Sequence, residues 1–238
     1  KTAGINHQAW LREISRDGKD LYPEIKARAA ARTEKHNDMV RYEIMKRFGY
    51  YVTESSEHNA EYMPYFIKDK YPELIERFNI PLDEYPRRCV NQIEKWTQMR
   101  KDLVEKHDLT HERSKEYASH IMEAMETNQP YKFGGNVLNT GLIPNLPAEA
   151  AVEVPCLVDK SGVQPVYVGN LPPQCAAMNR TNINVQLLTI EAALTGKKDY
   201  IYQAAMTDPH TASELSIDDI VAMCDDLIET HGSWLKYH

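Results

Sequence analysis

The chain has 238 residues, of which 42% are hydrophobic and 26% are charged, and its formal net charge is -7 at pH 7. These values are typical of a soluble globular protein with a sizeable core, and they argue against disorder. The acidic balance leaves no basic stripe to neutralise phosphates, so nucleic acid is not an expected partner. The sequence has no run of about 18 apolar residues and no signal segment, so neither membrane spanning nor export is predicted.

The four cysteines are widely spaced and form no CxxC pair: Cys89, Cys156, Cys175 and Cys224. This spacing predicts neither a disulfide framework nor a structural zinc site, and a reducing cytoplasm is the expected compartment. The sequence begins at Lys1 without a methionine and ends abruptly at His238. We therefore expect the chain to be a fragment of a longer protein.

The first quarter of the chain predicts a strand, a turn and two helices. HQAWLREI predicts a strand that leads into the Asp17-Gly18 turn. From Pro23, Ala-rich and 3.6-periodic segments predict two helices, the second ending at Gly49. A short strand over 50–53 and a polar run follow.

The middle of the chain predicts more helices, and its second half mixes strands with helices. YPELIERF, PRRCVNQIEKWTQMRKDLVEKH and SKEYASHIMEAMETN have helical spacing, with a break at DLTHERS before the last. VEVPCLVD and the Asp159–Gly162 turn predict an antiparallel hairpin that closes on residues 166–168.

Three helices are predicted after the hairpin, in QCAAMNRTNINVQLLTIEAAL, KDYIYQAAMTD and SIDDIVAMCDDLIETHG, with Ser216 as the N-cap of the last. The mixed order of strands and helices predicts an α+β fold. Because the sequence shows neither an internal repeat nor a low-complexity linker, we expect one domain.

Three polar segments are candidates for chemistry, and each has a structural alternative. His7 in GINH is either a metal ligand or a solvated residue of the chain end. The segment Thr53–His58 (TESSEH) either presents catalytic groups after a strand, or uses Thr53 or Ser55 to cap a new helix. GGNVLNTGLIPNLP, residues 134–147, offers amides to a hydroxyl-rich ligand or serves as a turn-rich connector. No Gly-rich phosphate loop and no GxSxG elbow occur in the sequence.

Five segments in order resemble the C-terminal portion of family 4 glycoside hydrolases, and within that family its α-galactosidase branch. They are GINHQAW, RYEIMKRFGYYVTESSEHNAEYMPYFIK, LDEYPRRCV, NLPAEAAVEVPCLVD and TNINVQLLTIEAALTGKKDYIYQAAMTDPHTA. The resemblance runs from about Gly4 to Trp234 without a large insertion. It implies that residues 1–238 are the C-terminal substrate- and metal-binding domain of a lactate/malate-dehydrogenase-like glycosidase, and that the Rossmann domain which binds NAD is absent from this chain.

The resemblance also implies a reaction outside the two-carboxylate scheme of glycoside hydrolysis, with NAD and a divalent metal, usually Mn²⁺. The sugar C3 hydroxyl gives a hydride to NAD, a base removes the C2 proton, and the enediolate expels the aglycone. Water then adds and the hydride returns. A divalent cation against the C2 and C3 oxygens stabilises the enediolate. His7 would be one metal ligand, and a cysteine upstream of residue 1 would be another.

The same resemblance places the base in or just after TESSEH. Glu54 is favoured, with Ser55, Glu57 and Tyr62 as alternatives. A further set of residues is expected to contact the sugar: Asn6, His58, Asn136 and Asn145.

Acids rather than cations in TESSEHNAEY favour an unphosphorylated α-galactoside such as melibiose. The alternatives are an α-glucosidase, an α-galacturonidase, or a non-catalytic module for sugar binding or oligomerisation. Alone, the chain is expected neither to bind NAD nor to hydrolyse substrate. The resemblance implies a homodimer or homotetramer.

Overall fold

The computed structural model describes residues 1–106 and 112–237. Its strands are β1 Thr2–Ile5, β2 Gln8–Leu11, β3 Ser15–Arg16, β4 Lys19–Asp20, β5 Tyr51–Val52, β6 Tyr131–Leu138, β7 Ala151–Asp159 and β8 Gly162–Pro165. Its helices are α1 Tyr22–Ala31, α2 Met39–Phe48, α3 Ser56–Glu61, α4 Glu73–Arg77, α5 Glu84–Glu105, α6 Ala118–Thr127, α7 Pro173–Thr195, α8 Asp199–Thr207, α9 Thr211–Glu214 and α10 Ile217–His231. A 3₁₀ turn over Gly232–Trp234 follows.

The α+β prediction is confirmed, because the chain combines one main antiparallel sheet with helices. Its strand order is β5-β2-β1-β7-β6, and β8 pairs with β7. A second hairpin joins β3 to β4 through the predicted turn, where Asp17 and Gly18 have φ of 52° and 77°. Both residues lie in the left-handed region, as a two-residue hairpin turn requires.

The core lies on one face of the sheet. Along β7 burial alternates with period two, so that Val152 and Val154 are buried while Glu153 between them is half-buried. Trp10 of β2 and Ile183 of α7 belong to the same buried cluster. The opposite face of the sheet, which carries Glu153, is therefore left partly open.

Two predictions about the second half are corrected by the structure. Strand β6 begins at Tyr131 and runs through the glycine pair that was read as the start of a loop. Gly135 fits there because an added Cβ would lie 2.8 Å from the Cys156 Sγ on the neighbouring strand. The hairpin after β7 closes on Gly162–Pro165 rather than on residues 166–168, because Asp159 pairs directly with Gly162 across a two-residue turn.

The predicted helices are confirmed, and the structure adds α9, a single turn that was not predicted. Most of the predicted DLTHERS break lies outside the described residues. All four cysteines are free. No helix of the described chain has the length and apolar character needed to cross a membrane.

Candidate functional site

The candidate site is built on the hairpin turn between β1 and β2. Ile5 pairs with Gln8, so Asn6 and His7 form a two-residue turn at the end of the sheet. His7 has φ of 67° and is half-buried. At Gly4, φ is 155° and an added Cβ would lie 2.7 Å from the Gln8 carbonyl oxygen. Only glycine fits this position without a backbone shift, which explains the glycine of GINH.

Two rings lie against the His7 imidazole. The His58 ring meets it edge-on with centroids 4.7 Å apart, and the Tyr62 ring stacks on it with centroids 6.0 Å apart and an interplanar angle of 20°. His7 Nδ1 contacts the Asn6 Oδ1. This contact fixes the ring and leaves Nε2 as the nitrogen available to a ligand.

The segment after β5 reaches this turn through backbone contacts with β2. The Thr53 amide donates to the Ala9 carbonyl at 2.8 Å, and the Ala9 amide donates to Thr53 Oγ1 at 3.1 Å. Glu54 then reverses the chain with φ of 65° and is exposed. The chain therefore leaves the sheet at Glu54, close to the end that carries His7.

The capping interpretation of TESSEH is confirmed at Ser55. Its Oγ accepts a hydrogen bond from the His58 amide at 3.2 Å and caps α3. The buried Asn59 side chain donates to the carbonyls of Thr53 and Ser55 at 3.0 and 2.8 Å and locks the turn. The Ser55 hydroxyl is thus engaged in positioning α3.

Helix α3 presents His58 and Glu57 in different directions. His58 Nδ1 lies 3.0 Å from the Glu61 Oε2, which holds the His58 ring beside His7. Glu57 instead lines a separate cleft together with Asn37 and Asn79. Of the base candidates, Tyr62 lies beside His7, and Glu54 is near enough to Tyr62 to raise its pKa.

Glu153 is an acidic residue of this region that sequence reasoning missed. Burial raises the pKa of Glu153, and the nearby negative charge of Glu54 raises it further. Burial also raises the pKa of Tyr62, with the charges of Glu61 and Glu54 adding to the effect. Glu54 is therefore near enough to both Tyr62 and Glu153 to raise their pKa values. The alternating pattern of β7 is typical of an ordinary strand. The signal for Glu153 in the sequence is an acidic residue at a half-buried position of that strand.

The two asparagines predicted in the 134–147 segment have different surroundings. Asn136 is exposed on β6 and pairs in register with Glu153, which itself pairs with Gly4 of β1. Asn145 is not brought to His7. Its Nδ2 donates to the Leu171 carbonyl at 2.8 Å and its Oδ1 accepts from the Leu171 amide at 3.0 Å, so both amide atoms join two loops.

A buried amide network behind the turn was also missed. Asn179 Nδ2 donates to the Gln8 carbonyl at 2.7 Å and its Oδ1 accepts from the Trp10 indole at 3.1 Å. Asn182 Nδ2 lies 3.2 Å from the Gln8 Oε1 and 3.3 Å from the Tyr62 carbonyl. These contacts tie α7 to both sides of the His7 cluster. Asparagines three residues apart, and so on one face of the helix, are the signal that the sequence carried.

The described side chains do not form a complete metal site. Within residues 1–106 and 112–237, no group of three or more His, Cys, Asp or Glu side chains could hold a metal ion. His7 Nε2 fits the role of one imidazole ligand, since its Nδ1 is already held by Asn6. Among the described residues, His7 is therefore the candidate for a single metal ligand.

Comparison with known proteins defines the class. Residues 2–211 match the model of the family 4 glycosyl hydrolase C-terminal domain. The chain belongs to this family. It is 66% identical over 236 residues to an α-galactosidase of Bacillus subtilis, covering 99% of this chain and 55% of that protein. It is 32% identical to an α-galactosidase of Rhizobium meliloti, covering 99% of this chain and 50% of that protein.

Solved structures agree with the fold. A 6-phospho-α-glucosidase from gut microorganisms, in complex with NAD and Mn²⁺, superposes with a TM-score of 0.74 at 20% identity, covering 99% of this chain and 56% of that one. A 6-phospho-β-glucosidase from Thermotoga maritima, with manganese, NAD⁺ and glucose-6-phosphate, gives a TM-score of 0.67 at 18% identity, covering 100% of this chain and 53% of that one. The chain spans about half the length of the relatives it matches.

Proposed function

We propose that this chain forms the substrate-binding half of an α-galactosidase that hydrolyses α-D-galactosides such as melibiose. The observation that carries the proposal is the His7 turn, where the His58 and Tyr62 rings lie against the imidazole and Glu54 is near enough to raise the pKa of Tyr62. The two similar α-galactosidases support the choice of sugar. Residues 1–238 would be the C-terminal domain of the enzyme, and the NAD-binding domain would lie outside this chain.

We assign His7 as the ligand that this chain gives to a divalent metal, with Mn²⁺ as the expected ion. The metal would polarise the sugar oxygens as a Lewis acid, while NAD would accept a hydride and return it. Asn6 holds the Nδ1 side of the His7 ring, and the Glu61–His58 pair supports its edge. The chain's own contribution is thus a ring held in one orientation before any ligand arrives.

Glu54 is proposed as the base that removes the C2 proton. Glu54 is exposed and follows Thr53, which is hydrogen-bonded to Ala9 two residues after His7. Tyr62 is the alternative, but burial and two neighbouring acids raise its pKa and disfavour the phenolate. Asn6, His58 and Asn136 would orient the sugar hydroxyls through their polar atoms.

The acids of this region favour an unphosphorylated sugar. Glu54, Glu61 and Glu153 would repel a phosphate dianion, and no hydrogen bond or ion pair of a described Lys or Arg reaches any of the three. A galactoside instead offers hydroxyls, which donate hydrogen bonds to carboxylates.

The test is a substrate panel on the full-length protein with NAD, Mn²⁺ and a reductant. We expect turnover of nitrophenyl α-galactoside to exceed that of the matching α-glucoside, α-galacturonide and galactoside-6-phosphate by at least about tenfold, the scale of a single polar contact. Preference for the phosphorylated sugar would overturn the substrate assignment. Absence of turnover on every glycoside would favour a non-catalytic sugar-binding module.

A further inference from the structure

A cleft beside helix α3 lies next to the proposed site in the chain. Its volume is about 430 Å³, which suits one small ligand. Ser55 and Glu57, at the start of α3, form one wall, and the loops before α2 and α5 and the first turn of α5 form the others. Ser55 directly follows Glu54, the proposed base. Glu57 directly precedes His58. Because consecutive Cα atoms are about 3.8 Å apart, the cleft begins one residue away from the site.

Three side chains of the cleft have hydrogen-bonding capacity that the described chain does not use. Glu57 is half-buried, yet no side chain or amide within residues 1–106 and 112–237 forms an ion pair or hydrogen bond with its carboxylate. Asn79 Nδ2 lies 3.4 Å from the Asn37 Oδ1, which leaves the Asn79 Oδ1 and the Asn37 Nδ2 without a partner among the same residues. The cleft therefore offers a carboxylate and a carbonyl oxygen as acceptors and an amide as a donor.

The other side chains of the cleft are either already paired or apolar. The Ser56 hydroxyl accepts a hydrogen bond from the Arg41 amide at 3.3 Å. Arg88 Nε lies 3.1 Å from the Glu84 Oε1, so the charge of Arg88 is compensated. Ile80 is buried and gives the cleft an apolar surface. An anion is disfavoured here, whereas a neutral ligand with both hydroxyls and C–H faces has a partner for each.

We propose that this cleft binds the sugar unit that forms the aglycone of the substrate. The inference rests on the proposed function and names the class of galactoside. In an α-galactoside the aglycone is bonded to C1, next to the C2 from which Glu54 would take a proton, so it lies close to Glu54 when the galactose is in place. The cleft begins at the residue after Glu54. Glu57, Asn37 and Asn79 would then select a galactosyl oligosaccharide over a galactoside whose aglycone has no hydroxyls.

Two substrates, given to the full-length protein with NAD, Mn²⁺ and a reductant, test this assignment. Melibiose has a sugar aglycone, whereas nitrophenyl α-galactoside has the same galactose and no aglycone hydroxyls. Glu57→Ala should lower kcat/KM for melibiose at least about tenfold, because a hydrogen bond to a charged group is lost. Asn79→Gly should lower it about threefold, the scale of a neutral hydrogen bond, and glycine keeps the φ of 51° at this position. For the nitrophenyl substrate, both variants should stay within about twofold of the wild type.

Asn184→Ala is the matched control, because this exposed amide lines a different cleft, beside Asn145. It should change kcat/KM for neither substrate. Equal losses on both substrates in Glu57→Ala would place Glu57 in the reaction itself, and undiminished melibiose turnover in both cleft variants would show that the cleft does not hold the aglycone; either result overturns the inference alone. If the wild type hydrolysed neither substrate, the proposed function would fail and this inference with it.

Discussion

At the scale of single residues, the site depends on backbone positions that few side chains tolerate. Gly4 accepts the close approach of Gln8, His7 has φ of 67°, and Glu54 has φ of 65°. Non-glycine residues in the left-handed region are uncommon and cluster at functional sites. His7 and Glu54 are also the residues that the family resemblance assigned to metal binding and proton transfer. Their uncommon backbone conformations therefore support the two proposed roles.

Glu153→Gln is expected to stabilise the protein at neutral pH. The pKa of Glu153 is raised by burial and by Glu54, so the folded state holds its proton more tightly than the unfolded state. Stability is then lost as pH rises from the unfolded pKa through the folded one. Urea unfolding at several pH values should show that the variant loses this part of the pH dependence.

Glu214→Gln is a control that should change the stability of the protein in the opposite direction. Lys68 and the Asp69 amide lower the pKa of Glu214 to about 2. This carboxylate therefore stabilises the fold above its unfolded pKa, and its contribution is lost as pH falls toward 2. The variant should be less stable than wild type at pH 7. If the two variants shift stability in the same direction, the assigned environment of Glu153 is wrong.

At the scale of elements, α3 is the part that brings His58 and Tyr62 to His7. It has six residues, begins at the Ser55 cap and is held by the buried Asn59. Short helices depend on their caps, because few internal hydrogen bonds support them. The arrangement of His58 and Tyr62 around His7 therefore depends on this single helix being folded.

Ser55→Ala is expected to cost about 1 kcal/mol of unfolding free energy through loss of the cap. Ser216→Ala removes the equivalent cap from α10 and is the matched control. Only the change at Ser55 should also lower kcat, because only α3 carries site residues. Ser55→Asn keeps a capping oxygen and should restore both stability and kcat. Loss of activity in Ser55→Asn at full stability would instead assign chemistry to the hydroxyl itself.

The sequence predicted helices and turns more successfully than contacts between residues far apart in the chain. The helical periodicities and the Asp17-Gly18 turn are local signals, and each is confirmed. Strand β6 was missed because Gly134 and Gly135 disfavour strands, and the close approach of the Cys156 Sγ explains the glycine at position 135. Glu153, Asn179 and Asn182 reach the site through pairings across more than a hundred residues, which no local pattern encodes.

At the scale of the whole molecule, the described chain has a partly open sheet face, and we propose that it supplies one ligand of a metal centre. That ligand, His7, lies at the end of the sheet, and a buried amide network contacts the neighbouring Gln8. The two solved relatives that share the fold are about twice as long, and both contain NAD and manganese. This coverage supports our proposal that the chain is one half of a catalytic unit.

The most direct test is Mn²⁺-dependent turnover of nitrophenyl α-galactoside by the full-length protein, compared between wild type and His7→Ala. We expect the variant to fold normally, to bind Mn²⁺ at least about tenfold more weakly, and to lose turnover at every Mn²⁺ concentration that supports the wild type. Wild-type Mn²⁺ affinity and turnover in His7→Ala would contradict the account.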